Sequence, residues 1–225
     1  MNQYDFRMRN ILVFISALLI VSACNTEKMN SPIKAESLTE SEILNIQNSL
    51  RSLALADTQT RKEFSKVLSK RNKSDEGREK FRTFYVKMRK QDISHHQKLN
   101  SFVEQYGWID PKRFGNQASQ DAWLITQHMV HDEGKFQKRM LSLMKPGENI
   151  SATKYALLSD RIKIIFDKKP QKYGTQGKCQ SDGDWQVEPV ENFELIDQRR
   201  LAIGFERFVE YEARMDFKCA SRFED

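Results

Sequence analysis

The sequence predicts a mainly α-helical protein, a multi-helix, bundle-like single domain with a small β-hairpin near the C-terminal third. Three observations carry this expectation. Apolar residues recur at three- and four-residue spacing through successive stretches from Leu38 to Ile165. The pattern breaks between Pro170 and Pro189, where turn-forming residues gather, and helical spacing resumes from Asn192. About 200 residues suffice for one sizeable core, and no repeat, low-complexity segment or composition shift calls for a second domain.

Taken in order, Ser37-Leu38-Thr39-Glu40 reads as a capping box ahead of an amphipathic helix carrying Ile43, Ile46, Leu50 and Leu53 to about Ala56. A charged helical stretch follows from Thr58 to Lys73. A third runs from Glu76 toward Gln91 with Phe81, Phe84, Tyr85 and Met88 on one side. A fourth holds Leu99, Phe102, Val103 and Tyr106 and ends at Gly107-Trp108. After a loop with Pro111 and Gly115, Ser119 is the expected cap of a long helix to Met144, stopped by Pro146-Gly147. Ser151 or Thr153 opens another through Tyr155, Leu158, Ile162 and Ile165. Lys178-Cys179-Gln180 and Trp185-Gln186-Val187 flank the turn Ser181-Asp182-Gly183-Asp184, which predicts the hairpin. Beyond Asn192 the chain is expected to be helical, interrupted at Gly204, with Phe208, Tyr211 and Met215 facing inward.

The first residues read as an address. Arg7 and Arg9 precede an uncharged run from Ile11 to Val21, the layout of a signal peptide over residues 1–23. The run is shorter than the roughly 20 residues that a spanning helix needs. Val21-Ser22-Ala23-Cys24 resembles the lipobox of bacterial lipoproteins, which implies acylation of Cys24 and anchoring in the cell envelope, at the outer membrane or the periplasmic face of the inner membrane. Residues 24–36 are polar, lack periodicity and suit a tether, leaving 37–225 as the folded domain. An ordinary secretory signal, with Cys24 merely a cysteine, is the alternative.

Cleavage before Cys24 removes Arg7, Arg9 and Asp5 and lowers the formal charge from +6 to +5. Lys and Arg are interleaved with Asp and Glu, so the charge reads as solvated faces, and an envelope location leaves no nucleic acid as an expected partner. With Cys24 acylated, Cys179 and Cys219 remain, and an oxidising compartment favours their pairing. Neither belongs to a Cys-x-x-Cys motif, which speaks against thioredoxin-like chemistry and cysteine-based zinc sites.

The candidate chemistry centres on histidine. On one helix, His128 and His131 would project from a single face with Gln127 beside them, and neutral imidazoles there suit a divalent metal or general acid–base work. A hydrogen-bonded structural pair is the plainer reading of the same spacing. His95 and His96 are neighbours about 100° apart on a helix, so one of them at most joins that site and the other is expected in solvent. The chain has no His-Glu-x-x-His, no Walker lysine and no Gly-x-Ser-x-Gly, and the familiar zinc, nucleotide and serine enzymes are unsupported.

Tyr106-Gly107-Trp108, Asp121-Ala122-Trp123-Leu124-Ile125-Thr126-Gln127-His128-Met129-Val130-His131-Asp132, Phe136-Gln137, Asp160-Arg161, Lys172-Tyr173-Gly174-Thr175-Gln176 and Asp197-Gln198-Arg199-Arg200-Leu201-Ala202-Ile203-Gly204 together resemble an uncharacterised bacterial family known only as a domain of unknown function. The resemblance covers Asp92 to Met215. It departs after Gly107-Trp108, where Ile109-Asp110 stand before Pro111 and the family pattern has proline at once. The resemblance supplies positions and no mechanism.

Those positions allow two arrangements. In one they converge as a pocket: His128 or His131 is the base, Asp160 orients it, and Arg161 or Arg199 takes an anionic group, with Gln127, Tyr173 and Gln176 as further ligand contacts. In the other, Asp160 pairs with Arg199 or Arg200, the histidines cap carbonyls, and the Tyr173–Gln176 loop is shaped by backbone needs. The expected function is a membrane-anchored envelope lipoprotein binding a small-molecule or protein ligand. A periplasmic hydrolase using His128, His131 and Asp160, with or without a divalent metal at the two histidines, is the alternative.

Overall fold

A computed structural model describes residues 38–68, 74–129 and 132–221, all within one compact unit. The order is α1 (Glu40–Leu68), α2 (Asp75–Tyr106), α3 (Pro111–His128), α4 (Lys135–Leu143), α5 (Ala152–Ile162), β1 (Gly177–Cys179), β2 (Trp185–Val187), α6 (Ile196–Ala202) and α7 (Phe208–Ala220). The mainly helical class with one C-terminal-third hairpin is what the sequence predicts. No described helix is long and apolar enough to cross a membrane.

The first four expected helices are two. Residues 40–56 and 58–68 form the single helix α1, because Thr58 does not break it: its Oγ1 donates to the Ala54 carbonyl at 2.8 Å and the backbone runs on. Residues 69–73, the end of the second expected helix, lie outside the described residues. The capping box is also shifted. Thr39 is the cap, with Glu42 N donating to Thr39 Oγ1 and Thr39 N to Glu42 Oε2. Helix α2 absorbs the third and fourth expected helices, since no glycine or proline intervenes between Arg78 and Tyr106. It starts at the Ser74 cap, whose hydroxyl accepts from Gly77 N, and stops at Gly107, where φ is +76°.

Helix α3 begins earlier and ends earlier than expected. Asp110, not Ser119, is its cap, accepting from Lys112 N and Arg113 N at 3.0 Å, with Pro111 at the first helical position. Ser119 is buried inside the helix, beyond a kink at Gly115. The chain leaves helical geometry at Met129, and α4 starts only at Lys135. Two groups make that break. Asp132 accepts from Gly134 N and Phe136 N, and the buried Gln137 amide donates to the Thr126 and Gln127 carbonyls in the last turn of α3. Gly134 is left-handed, and a Cβ there would meet the Phe166 ring at 2.4 Å.

Ser151 caps α5, which runs into a π-helical turn at Lys163–Asp167. One core joins α1 to α5, with Leu50, Leu99, Ile109, Phe114, Met140 and Leu158 at its centre. A second, smaller core joins the hairpin to α6 and α7 through Trp185, Ile196, Phe208 and Cys219, with Tyr211 and Met215 packed on it as expected. In the hairpin Cys179 pairs with Trp185 and Gly177 with Val187, antiparallel. Cys179 and Cys219 form a disulfide across 40 residues, tying β1 to α7.

Candidate functional site

The site starts from helix register. On α1, Ile46, Leu50, Ala54 and Asp57 follow one another at four- and three-residue steps, and all four are buried. On α2, Met88, Asp92, His95 and Leu99 do the same. The stripes that build the bundle core therefore carry two carboxylates and an imidazole into it, where each needs a partner.

The partners come from α1 and α3. Asp57 Oδ2 lies 2.6 Å from His128 Nδ1, and Asp57 Oδ1 lies 3.4 Å from Arg61, one turn along α1. Arg61 also pairs with Asp92. His128 sits at the C-terminal end of α3 with its side chain 28 % exposed, against 3 % for Asp57. A carboxylate that bonds Nδ1 fixes the ring orientation and leaves Nε2 as the atom free to meet something else. The Nδ1 of His95 is buried without a hydrogen-bond partner among the described residues. Burial lowers the pKa of His95, against the opposing pull of Asp57 and Asp92, so its neutral form is favoured. The sequence reading puts one of His95 and His96 in solvent; in the structure His95 is buried and His96 is half-buried, packing on Phe136 with ring centroids 4.0 Å apart.

Asp160 does not orient His128. It is fully buried, and its Oδ1 accepts from Lys172 N and Tyr173 N while its Oδ2 accepts from Tyr173 N, Thr175 N and the Thr175 hydroxyl, at 2.9–3.3 Å. Burial raises its pKa, and these bonds oppose the rise. The Gln171 side chain braces the same loop, donating to the Gln176 and Glu188 carbonyls and accepting from Gln176 N. The Gln176 amide donates to Thr175 Oγ1. Arg200 is fully buried, donates to the Tyr173 and Glu206 carbonyls, and lies against the Tyr211, Phe205 and Phe208 rings. Arg199 donates to the Glu191, Asn192 and Leu195 carbonyls. The plainer arrangement thus holds for the loop, with one change: Asp160 is neutralised by backbone donors and a hydroxyl and not by Arg199 or Arg200.

Of the other positions singled out from sequence, none is hydrogen-bonded or ion-paired to Asp57 or His128 among the described residues; Arg161 is half-buried on α5, where burial lowers its pKa. Tyr173 bonds Asp160 through its backbone, and Gln127 contributes its carbonyl to Gln137. His131 lies outside the described residues, and the helical spacing that would align it with His128 is interrupted at Met129. Among the described residues, no group of three or more His, Cys, Asp and Glu side chains is placed to hold a metal ion. Asp57, Arg61 and Asp92 were missed from the sequence, although their place on the apolar stripes of α1 and α2 is visible there.

Comparison with known proteins gives one result. A family of unknown function (DUF6624) matches residues 44–218, a wider span than the motifs alone indicate. No curated protein and no solved structure matches.

Proposed function

Since this chain belongs to a family of unknown function, we propose its role from its own site: a lipid-anchored envelope protein that binds a ligand at His128, held in place by Asp57. The 2.6 Å contact between His128 Nδ1 and the buried Asp57 carboxylate carries the reading. A core does not need a buried carboxylate facing a part-exposed imidazole in order to close, whereas a recognition site does need an imidazole of fixed orientation with one nitrogen outward. Binding is favoured over turnover because Asp57 is the one hydrogen-bond partner of His128 among the described residues, so no hydroxyl or thiol among them is bonded to it as a nucleophile. The envelope address is supported by the lipobox-like Val21-Ser22-Ala23-Cys24 and by two further cysteines able to pair.

The hydrolase reading draws on the same pair, since a carboxylate-oriented histidine can take a proton from water. One experiment separates them. Wild type and His128→Ala are melted against a panel of envelope-type compounds carrying phosphate, carboxylate or sugar groups, and each hit is recovered and analysed. A compound that raises the wild-type Tm, leaves His128→Ala unmoved and returns intact supports binding; one that returns cleaved supports the hydrolase. A rise that survives His128→Ala removes His128 from the site. For the anchor, Cys24→Ser should abolish incorporation of radiolabelled fatty acid; retained label would sink that half of the proposal.

A further inference from the structure

Positive charge is not spread evenly along the chain. Residues 61–90, which take in the end of α1 and the start of α2, hold 12 Lys and Arg against 4 Asp and Glu, a net +8 where the whole chain is +6, so all other residues together come to −2. The acids of this segment are already engaged: Asp75 pairs with Arg78, Glu76 with Lys80 and Glu79 with Arg82, while Glu63 accepts from the Gln59 amide. Lys62, Lys87 and Lys90 are exposed, with no acidic group within ion-pair distance among the described residues. The same end of the bundle holds aromatic rings that neither core includes. Phe64 meets Phe81, Phe84 and Tyr85 at centroid distances of 5.6, 6.1 and 6.3 Å, and Lys87 Nζ lies 5.9 Å from the centre of the Phe84 ring. Beside them Leu68, Tyr85 and Val86 are 41–53 % exposed. An open groove here has Val67, Phe84, Lys80 and Lys87 in its walls, together with the already paired Glu76 and Glu79.

We propose that this end of α1 and α2 docks the domain on an anionic phospholipid bilayer, with Tyr85, Val86 and Leu68 entering the headgroup boundary and Lys62, Lys87 and Lys90 meeting the lipid phosphates. Charge complementarity selects the surface: each Lys or Arg near an anionic leaflet strengthens attachment about fivefold. The apolar residues among the lysines select a bilayer. Lysine stems lie along apolar surface and carry their ammonium groups out to the phosphates, while aromatic rings suit the same wet boundary. Nucleic acid would answer to the charge as well, but exposed Leu68 and Val86 give it nothing to pair with. The choice of a bilayer also rests on the envelope address proposed above, and the dock itself is separate from the lipid at Cys24 and from His128. It has a consequence for that site. Asp57 precedes Phe64 by two turns of α1, about 10 Å, so docking brings the Asp57–His128 pair close to the headgroups.

The test uses the full-length chain with Cys24→Ser, so that no acyl chain contributes. The run from Ile11 to Val21 can enter any bilayer, and docking is therefore read at the tip itself. Tyr85→Trp supplies an indole there, and the same chain without that change gives the background of Trp108, Trp123 and Trp185. Vesicles of brominated phosphatidylcholine mixed with phosphatidylglycerol should quench the added indole and shift its emission to shorter wavelength; vesicles of brominated phosphatidylcholine alone should not. Adding Lys62→Gln, Lys87→Gln and Lys90→Gln should weaken the docking about 100-fold and abolish the quenching, as should raising the salt. Lys112→Gln, Lys172→Gln and Lys218→Gln remove the same charge from exposed positions elsewhere and should leave it intact. Circular dichroism checks that each variant is folded. No quenching on anionic vesicles, equal quenching on both kinds, or equal loss in the two triple variants overturns the proposal. A mixed-sequence oligonucleotide that holds the tip off the vesicles overturns it in favour of nucleic acid. The two readings fail separately: docking that persists where Cys24 takes up no fatty acid keeps the tip and removes the anchor, and labelled Cys24 with an unquenched tip does the reverse.

Discussion

Asp57 and His128 are 71 residues apart in the chain, yet Asp57 Oδ2 and His128 Nδ1 stand 2.6 Å apart where α1 crosses the C-terminal end of α3. The same carboxylate faces Arg61, so one buried group both orients the imidazole and shares a guanidinium with Asp92. On the binding role proposed for His128, a carboxylate in that position would tie ligand recognition to the stability of the helical bundle.

The pair should therefore be energetically coupled. Asp57→Asn keeps the shape and removes the charge, and is expected to cost about 1–3 kcal/mol in urea unfolding. In a double-mutant cycle with His128→Ala the interaction energy should come to about 1–2 kcal/mol. Additivity within about 0.5 kcal/mol would show that the contact contributes nothing to the folded state.

His95 makes a prediction about acid. Burial lowers its folded pKa below the ordinary 6.5, so the unfolded chain binds more protons as pH falls past that value. Stability that this residue supports is fully present above 6.5 and is lost as pH falls toward the folded pKa. Urea midpoints measured from pH 8 to pH 5 should decline through this range in wild type, and the decline should be shallower in His95→Gln. Identical slopes in the two proteins would mean that His95 is not the group responsible.

How much of this could be read in the sequence follows from what each residue faces. Periodicity locates α1 and α2, but not their continuity: the apolar spacing of the first stretch is followed only to about Ala56, and the helix is seen to run on once the Thr58 hydroxyl bonds the Ala54 carbonyl. The hairpin is legible because Ser181-Asp182-Gly183-Asp184 can do little but turn. His128 is legible by its rarity. Asp57 is not, in a chain where 30 % of residues are charged, unless its register with Ile46, Leu50 and Ala54 is followed. Asp160 reads as chemistry for the opposite reason: the unmet backbone donors of Lys172, Tyr173 and Thr175 appear only once the loop is folded around it.

That loop gives the next prediction. In Asp160→Asn the amide nitrogen must face N–H donors on one side of the group, leaving at least one buried donor unmet, at a cost of about 2–4 kcal/mol. The cost should also depend on pH. Burial raises the folded pKa of Asp160 above 3.8, so between that value and the raised one the folded protein binds more protons than the unfolded chain. Wild-type stability from this group is therefore greatest below 3.8 and falls as pH rises through the folded pKa. The stability gap between wild type and Asp160→Asn should widen on acidification through that window. A gap that narrows would mean that the loop's hydrogen bonds, not burial, set the titration.

The disulfide separates the two cores by experiment. Cys179 and Cys219 pack in the smaller core with Trp185 and Phe208, and neither belongs to the larger one, built on α1 to α5, whose helices α1 and α3 carry Asp57 and His128. Closing 40 residues, the bridge should stabilise the fold by about 4 kcal/mol in the chain-entropy model, or roughly 10 °C in Tm. Other ties cross the same junction: Trp185 N donates to Asp216 at 2.7 Å, and the Trp185 and Tyr211 rings meet edge to face. Replacing both cysteines by alanine should therefore lower Tm without abolishing folding. Amide protection should drop first in 177–187 and 208–220, while α1 to α3 and any ligand binding at His128 persist. A change below about 2 °C would show that those ties hold the junction without the bridge. Simultaneous loss of protection in α1 and α7 would show instead that the two cores unfold as one cooperative unit.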